Sequence, residues 1–289
     1  LRAEGMAGAG IALPQDALAP ATNPAGLAFI PDRVDFGLTW FKPTRGATIK
    51  GSPAPINGDY DGSDKSNFFI PEFGLARRLS PTLSAGVAVY GNGGMNTSYT
   101  TPIPLFGSSK AGVDLNQMFV TPALAWQPSP DHAIGIAVNL AYQRFKATGL
   151  ENFTGTAPPQ RFSMAPDRVT NQGYDDSFGY GLRVGYTGRL APGVTVGATY
   201  QSKTRMQEFD AYSGLFAEAG GFDIPASYGL GVAVQATPQL TVALDVMRID
   251  YGGVRSIANP LLPNLFSAPL GAAGGAGFGW EDVTAWKLG

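Results

Sequence analysis

Between Ala133 and Gln143 large apolar side chains alternate with small or polar ones. Ile134, Ile136, Val138, Leu140 and Tyr142 fall on one face; Ala133, Gly135, Ala137, Asn139, Ala141 and Gln143 fall on the other. A period of two is the signature of a β-strand, whose successive side chains point to opposite sides. The same alternation sets Val194, Val196, Ala198 and Tyr200 against Thr195, Gly197, Thr199, Gln201 and Lys203. It recurs in Tyr228, Leu230, Val232 and Val234 against Ser227, Gly229, Gly231 and Gln235. Leu240, Val242, Leu244 and Val246 stand in the same way against Thr241, Ala243, Asp245 and Met247.

A soluble sandwich also alternates, but three features separate this chain from one. Its bulky face is apolar while the opposite face is small or polar, the reverse of a sandwich with Lys and Glu outside. The predicted strands run to roughly 10–15 residues, against about 5–6 in globular sheets. Aromatic residues gather near the strand ends, as in Trp40-Phe41, Phe68-Phe69, Trp126, Tyr142 and Tyr251, which is where outer-membrane barrels carry their girdles. Together these predict an all-β fold, an antiparallel transmembrane β-barrel.

The connections predict its topology. Four are short and carry proline: Leu79-Ser80-Pro81-Thr82, Gln127-Pro128-Ser129-Pro130-Asp131, Leu190-Ala191-Pro192-Gly193 and Ala236-Thr237-Pro238-Gln239. They alternate with long segments at about 43–66, 92–114, 148–174, 208–221 and 252–279. Short periplasmic turns and long outer loops are the rule for such barrels, so the first strand runs outward. Ten strands follow, at 33–42, 67–79, 82–92, 115–127, 131–147, 175–190, 194–207, 222–236, 239–251 and 280–289. An unpaired edge in lipid leaves backbone groups unsatisfied, so the expectation is a barrel at 33–289 whose last strands lie outside this chain.

Composition narrows the class further. Charged residues are only 15% of the 289, mean hydropathy is near zero, and no apolar run approaches the roughly 20 residues of a membrane helix. A net charge of −2 gives no case for nucleic acid. With no cysteine, disulfides, thiolate zinc sites and cysteine nucleophiles drop out. The single histidine, His132, lies beside a predicted turn and reads as solvated; no metal site, cofactor or enzyme is expected. No Gly-x-Ser-x-Gly elbow occurs, and Gly179-Tyr180-Gly181 lacks the strand-to-helix setting of a dinucleotide site. Leu1-Arg2-Ala3-Glu4-Gly5 lacks the basic start and apolar core of a secretory leader.

The stretch 1–32 is rich in Ala, Gly and Pro and does not alternate. It reads either as a leader without fixed structure or as a plug folded into the barrel lumen. Met6, Ile11, Leu13, Leu18, Leu27, Phe29 and Ile30 are more apolar anchors than a solvated leader needs. Gly5-Met6-Ala7-Gly8-Ala9-Gly10, Asp16-Ala17 and Asn23-Pro24-Ala25-Gly26-Leu27 resemble the N-terminal hatch of the FadL-type outer-membrane transporters. Further runs that carry the resemblance are 179–186, 200–206, 223–231, 245–251, Trp280-Glu281-Asp282 and 286–289.

That resemblance implies an outer-membrane protein of Gram-negative bacteria that passes long-chain fatty acids or aromatic hydrocarbons. It implies fourteen strands, a monomer set among lipid and lipopolysaccharide, and passive movement with sideways release where a strand kinks. The segment 92–114 is short for the helical outer loops that hold the first ligand site in the best-known members. By the same resemblance, Asn23, Pro24, Ala25 and Gly26 are the hatch. Gly91, Gly93 and Gly94 are candidates for the kink, since glycine in strands marks bulges or bends, although they equally suit the turn of the strand into its loop.

From the alternation, Glu72, Asn139, Arg183, Gln201, Lys203 and Asp245 face the lumen. Arg183 or Lys203 offers a charge-assisted contact to a carboxylate, or such charges simply balance one another. Apolar ligands bind in mostly apolar sites, which adds Phe41, Phe119 and Met247, with Leu261, Leu262 and Phe266 in a loop. The alternative function is a general diffusion porin, which needs an open aqueous lumen.

Overall fold

The structure, a computed structural model, describes residues 2–155 and 162–289. Leu1, which begins the expected plug, and 156–161, within the expected 148–174 connection, lie outside the described residues.

The strands are β1 (Arg33–Phe41), β2 (Gly46–Ile49), β3 (Gly58–Asp61), β4 (Phe68–Ser80), β5 (Leu83–Ser98), β6 (Gly112–Ser129), β7 (His132–Thr148), β8 (Asp175–Ala191), β9 (Val194–Gln201), β10 (Arg205–Met206), β11 (Ser227–Thr237), β12 (Leu240–Ile249) and β13 (Val283–Leu288). Ten of them form one antiparallel meander in the order β1-β4-β5-β6-β7-β8-β9-β11-β12-β13. The short β10 continues the line of β9 against β8, while β2 and β3 make a separate hairpin between β1 and β4. The sheet is open: β1 and β13 are its two edges.

All four short connections are two-residue turns, at 81–82, 130–131, 192–193 and 238–239. They lie at one end of the sheet, and all long connections lie at the other. β6, β7 and β8 have 18, 17 and 17 residues. Roughly 9–11 tilted residues span a bilayer, so these strands project well beyond it.

The alternation read from the chain is the alternation of exposure. Phe36, Leu38, Trp40, Ile134, Ile136, Leu140, Leu182, Leu230 and Trp286 are exposed, whereas Ala125, Ala133, Ala137, Asn139 and Ala243 are buried. An apolar exterior over a small and polar interior is stable only where the outside meets lipid. No helix among the described residues is long and apolar enough to cross a membrane.

The ten expected strands are all present and in the expected order, but β5 runs on to Ser98, the strand expected at 194–207 breaks after Gln201, the last begins at Val283, and the expected loop 43–66 holds the β2–β3 hairpin. The expected strand 222–236 begins at Ser227, because Pro225 has no N–H for the ladder. A lone bridge, Thr204 to Ile224, resumes the pairing beyond it. Phe222 is thereby released from the sheet into a buried cluster described below.

Candidate functional site

The inner face of the sheet carries the N-terminal segment. Residues from Ala9 to Ile30 are mostly buried, and the short turn Pro24–Phe29 packs against β6, β7 and β8. Asn23 caps that turn: its Oδ1 accepts from the Ala25 N–H at 3.1 Å, a residue type and position that satisfy a free helix-end donor. Its Nδ2 donates to the Ile11 carbonyl at 2.8 Å and the Tyr186 carbonyl at 2.9 Å, tying the segment to itself and to β8. Gly135 and Gly197 let the backbones approach closely. A Cβ on Gly135 would overlap the Ala25 nitrogen, and one on Gly197 would overlap the Ile11 carbonyl.

Two of the expected lumen charges hold this segment. Asp245 is buried, and its Oδ2 accepts from the consecutive N–H groups of Gly10 and Ile11 at 2.7 and 3.0 Å. Arg183 is 6% exposed; it donates to the Thr22 carbonyl at 3.0 Å and to Gln201 Oε1. Asn139 Nδ2 donates to the same Gln201 oxygen at 3.1 Å, so the polar inner residues form a network beneath the segment. Lys203 takes no part in it. Its Nζ donates to the Gly253 carbonyl at 2.6 Å and lies 3.7 Å from Asp223.

Phe119 is fully buried, edge-on to Tyr90 with ring centroids 5.6 Å apart, in a cluster with Ala141, Met206 and Ile224. Phe41 is exposed and packs against Phe68 at 6.3 Å, and Met247 is half-buried opposite Gly229. Leu261, Leu262 and Phe266 are exposed on the connection between β12 and β13. His132 is more than solvated: its Nδ1 lies 2.8 Å from the Tyr186 hydroxyl, with the two rings stacked.

Gly91, Gly93 and Gly94 flank an irregularity of the sheet. β5 pairs with β6 through Gly91 opposite Met118 and then Gly93 opposite Gln117, so Asn92 is an extra, bulged residue. On its other side β5 pairs with β4 only up to Val89 opposite Phe73. Beyond that point β4 stays with β1 as far as Phe68, and β5 stays with β6 as far as Ser98. The ladder between β4 and β5 therefore ends partway up the wall.

Toward the long loops the interior is a packed aromatic column that the sequence reading did not pick out. Phe145 of β7 has the rings of Tyr212 at 4.8 Å, Phe216 at 4.7 Å and Phe209 at 5.7 Å. Phe222 continues it 4.8 Å from Phe216, and the exposed Phe278 and Trp280 extend the ring contacts outward to Tyr251. Val254 and Ile257 close the cluster. Each such ring pair adds about 0.5–1.5 kcal/mol beyond the burial of its area. Tyr212 is held by donating to the Gly173 carbonyl at 2.6 Å, and burial keeps its phenol above the ordinary range. The available sign was the recurrence of Phe209, Tyr212 and Phe216 in a stretch otherwise read as a plain loop, with Phe222 at the start of the expected strand 222–236.

An open antiparallel meander with a lipid-facing exterior and a segment lodged on its inner face is the architecture of an outer-membrane transport barrel. The whole chain, residues 1–289, matches the family described as outer membrane protein transport protein (OMPP1/FadL/TodX), and it belongs to that family. Its place is the outer membrane of Gram-negative bacteria. Among solved structures it is similar to the toluene transporter TodX of P. putida, with 18% identity and a TM-score of 0.65 over 88% of this chain and 70% of that one. The Ralstonia pickettii toluene transporter TbuX matches at 19% identity and a TM-score of 0.63, over 88% and 72%. The CymD monoaromatic hydrocarbon channel matches at 19% identity and 0.57, over 88% and 69%. No curated protein matches the chain.

Proposed function

We propose that this chain passes small uncharged hydrophobic molecules, monoaromatic hydrocarbons ahead of fatty acids, inward across the outer membrane by passive diffusion. The carrying observation is the aromatic column around Phe145, Tyr212, Phe216 and Phe222 inside the long-loop end. An apolar solute leaving water gains roughly 25 cal/mol for each Å² it buries, and a ring entering among rings gains edge-on contacts as well. The inner cations argue against a carboxylate. Arg183 already serves Thr22 and Gln201, and Lys203 is engaged by Asp223 and Gly253. TodX, TbuX and CymD are described as toluene transporters and a monoaromatic hydrocarbon channel, which supports the same class of ligand.

In this reading the long-loop end faces outward, the sheet is completed into a closed barrel between β1 and β13, and residues 1–32 act as the hatch. The ligand enters the aromatic column and leaves sideways where β4 and β5 are unpaired, beside Ile70 and Gly91. Movement of the hatch about Asn23, Pro24 and Ala25 opens the way between the two. The energy source is the concentration gradient alone. A porin would need water through the lumen, and the burial of Ala9 to Ile30 against the wall weighs against one.

Uptake of toluene and of oleate by cells lacking their own transporter tests the proposal. The full-length protein is expressed beside two variants, one with Asn23 and Pro24 both changed to Ala and one with Phe216→Asp. Toluene uptake that both variants lose by about tenfold is the expected result. Oleate uptake in place of toluene would reassign the ligand, and entry of small sugars with neither hydrophobe would make the chain a porin.

A further inference from the structure

On the outward face of β7 the apolar run Ile134, Ile136, Val138, Leu140 ends at Tyr142, and the next two outward positions are Arg144 and Lys146. Nine residues from Ile134 to Tyr142 already match the length that a tilted strand needs to cross hydrocarbon. Tyr142 packs on Phe178 with centroids 5.2 Å apart, a local piece of the aromatic girdle. Arg144 and Lys146 therefore lie just beyond the hydrocarbon, at the level of the lipid headgroups.

Both cations converge on one ring. The guanidinium carbon of Arg144 is 3.6 Å from the ring centre of Tyr174, and the Lys146 ammonium is 4.7 Å from it. Among the described residues neither is paired with a carboxylate within ion-pair distance, and Arg144 Nε is buried with no hydrogen-bond partner. The carboxylates around them have other occupations. Asp114 accepts from the Tyr174 hydroxyl at 2.6 Å and from Asn116 Nδ2 at 2.9 Å, with Lys65 at 3.6 Å. Asp176, opposite Arg144 on β8, accepts from the Tyr142 hydroxyl at 2.6 Å. Arg144, Lys146 and Lys65 against Asp114 and Asp176 leave the patch with one positive charge in excess.

We propose that Arg144 and Lys146, braced by Tyr174, form a site for a phosphate group of the glycolipid in the outer leaflet. A guanidinium stacked on a ring is oriented in advance and keeps its N–H edge for a bidentate contact with phosphate oxygens. The ammonium beside it supplies a second donor. Two like charges held within 5 Å of one ring centre repel each other, and an anion beside them relieves that repulsion. Of the molecules at that depth, the phosphorylated glycolipid matches both requirements, with acyl chains for the wall below and phosphate for the cations above. The inference rests on the reading that the long-loop end is the outer one.

The test uses full-length protein purified in detergent and stripped of bound lipopolysaccharide. Native mass spectrometry follows titration with bisphosphorylated lipid A, with dephosphorylated lipid A and with inorganic phosphate. The expected result is preferential retention of the phosphorylated lipid, weakened about tenfold or more by Arg144→Gln with Lys146→Gln. Arg255→Ala, at a cation already paired with Glu218, should change nothing. Unaltered heat-modifiable migration on gels verifies that each variant is folded. Equal binding of dephosphorylated lipid, or equal binding by the double variant, overturns the site. Competition by phosphate at the same concentrations as lipid A overturns the assignment to lipid. Toluene uptake by the wild type is scored separately, so a failed lipid site and a failed transport reading give different results.

Discussion

Asp245 shows how one buried side chain organises the interior. Its carboxylate is out of reach of water, so the N–H groups of Gly10 and Ile11 replace the hydration of Oδ2; losing such partners costs about 1–3 kcal/mol. The glycines facing the segment act sterically. Gly135→Val would drive a side chain into the backbone at Ala25, and overpacking of this kind costs about 1–3 kcal/mol or more. Hydrogen exchange of residues 9–30 is expected to rise in Gly135→Val while exchange in β6 and β7 stays as it was. Gly5→Ala is the control, because no atom lies within 4 Å of the added Cβ. Unchanged protection of 9–30 would mean that the segment does not need this contact. Alternation alone marked Arg183 and Asp245 as inward-facing; that both bind the chain's own N-terminal backbone could not be read from it.

At the scale of elements, the bulge in β5 is the feature with the most direct consequence. A bulge adds local twist and bends its strand, and here it falls three residues after the last pair between β4 and β5. The glycines on either side of Asn92 made a bend legible in the sequence, but not the strand from which β5 parts. Deleting Asn92 leaves Gly91 and Gly93 on their present faces while removing the extra residue. The straightened β5 is expected to extend its pairing with β4 and to lower hydrophobe uptake about tenfold, measured in the same cells with surface expression matched. Uptake equal to that of the parent would show that the ligand does not pass through this part of the wall. The separation of β9 from β10 belongs to the same class of irregularity, and Pro225 facing it frees Phe222 for the aromatic column.

For the whole molecule, the claim to test is which way the barrel points. The chain has no cysteine, so single replacements can report without background. With a membrane-impermeant maleimide, Gly51→Cys on the loop between β2 and β3 should label on intact cells. Pro192→Cys, in a short turn, should label only after the outer membrane is opened. Leu140→Cys should resist in both cases, because a thiol facing hydrocarbon does not form the reactive thiolate. Labelling of the turn, and not of the loop, on intact cells would reverse the orientation and with it the lipid site proposed at Arg144 and Lys146.

Fold class, the ten strands and their order were determined by the sequence itself. Each hairpin is specified locally, by a period of two along the strands and by proline in the tight turns, and a meander pairs each strand with its neighbours in the chain. What the tertiary structure decided was everything joining distant parts of the chain over the inner face of the sheet. Asp245 meets Gly10 and Ile11, Arg183 meets Thr22, and Phe145 meets Tyr212 and Phe216. Such contacts follow from the curvature of the sheet and from the route of irregular segments over it. Neither leaves a periodic trace, because a residue in a loop or in the N-terminal segment answers to whatever wall it meets and not to its neighbours in sequence.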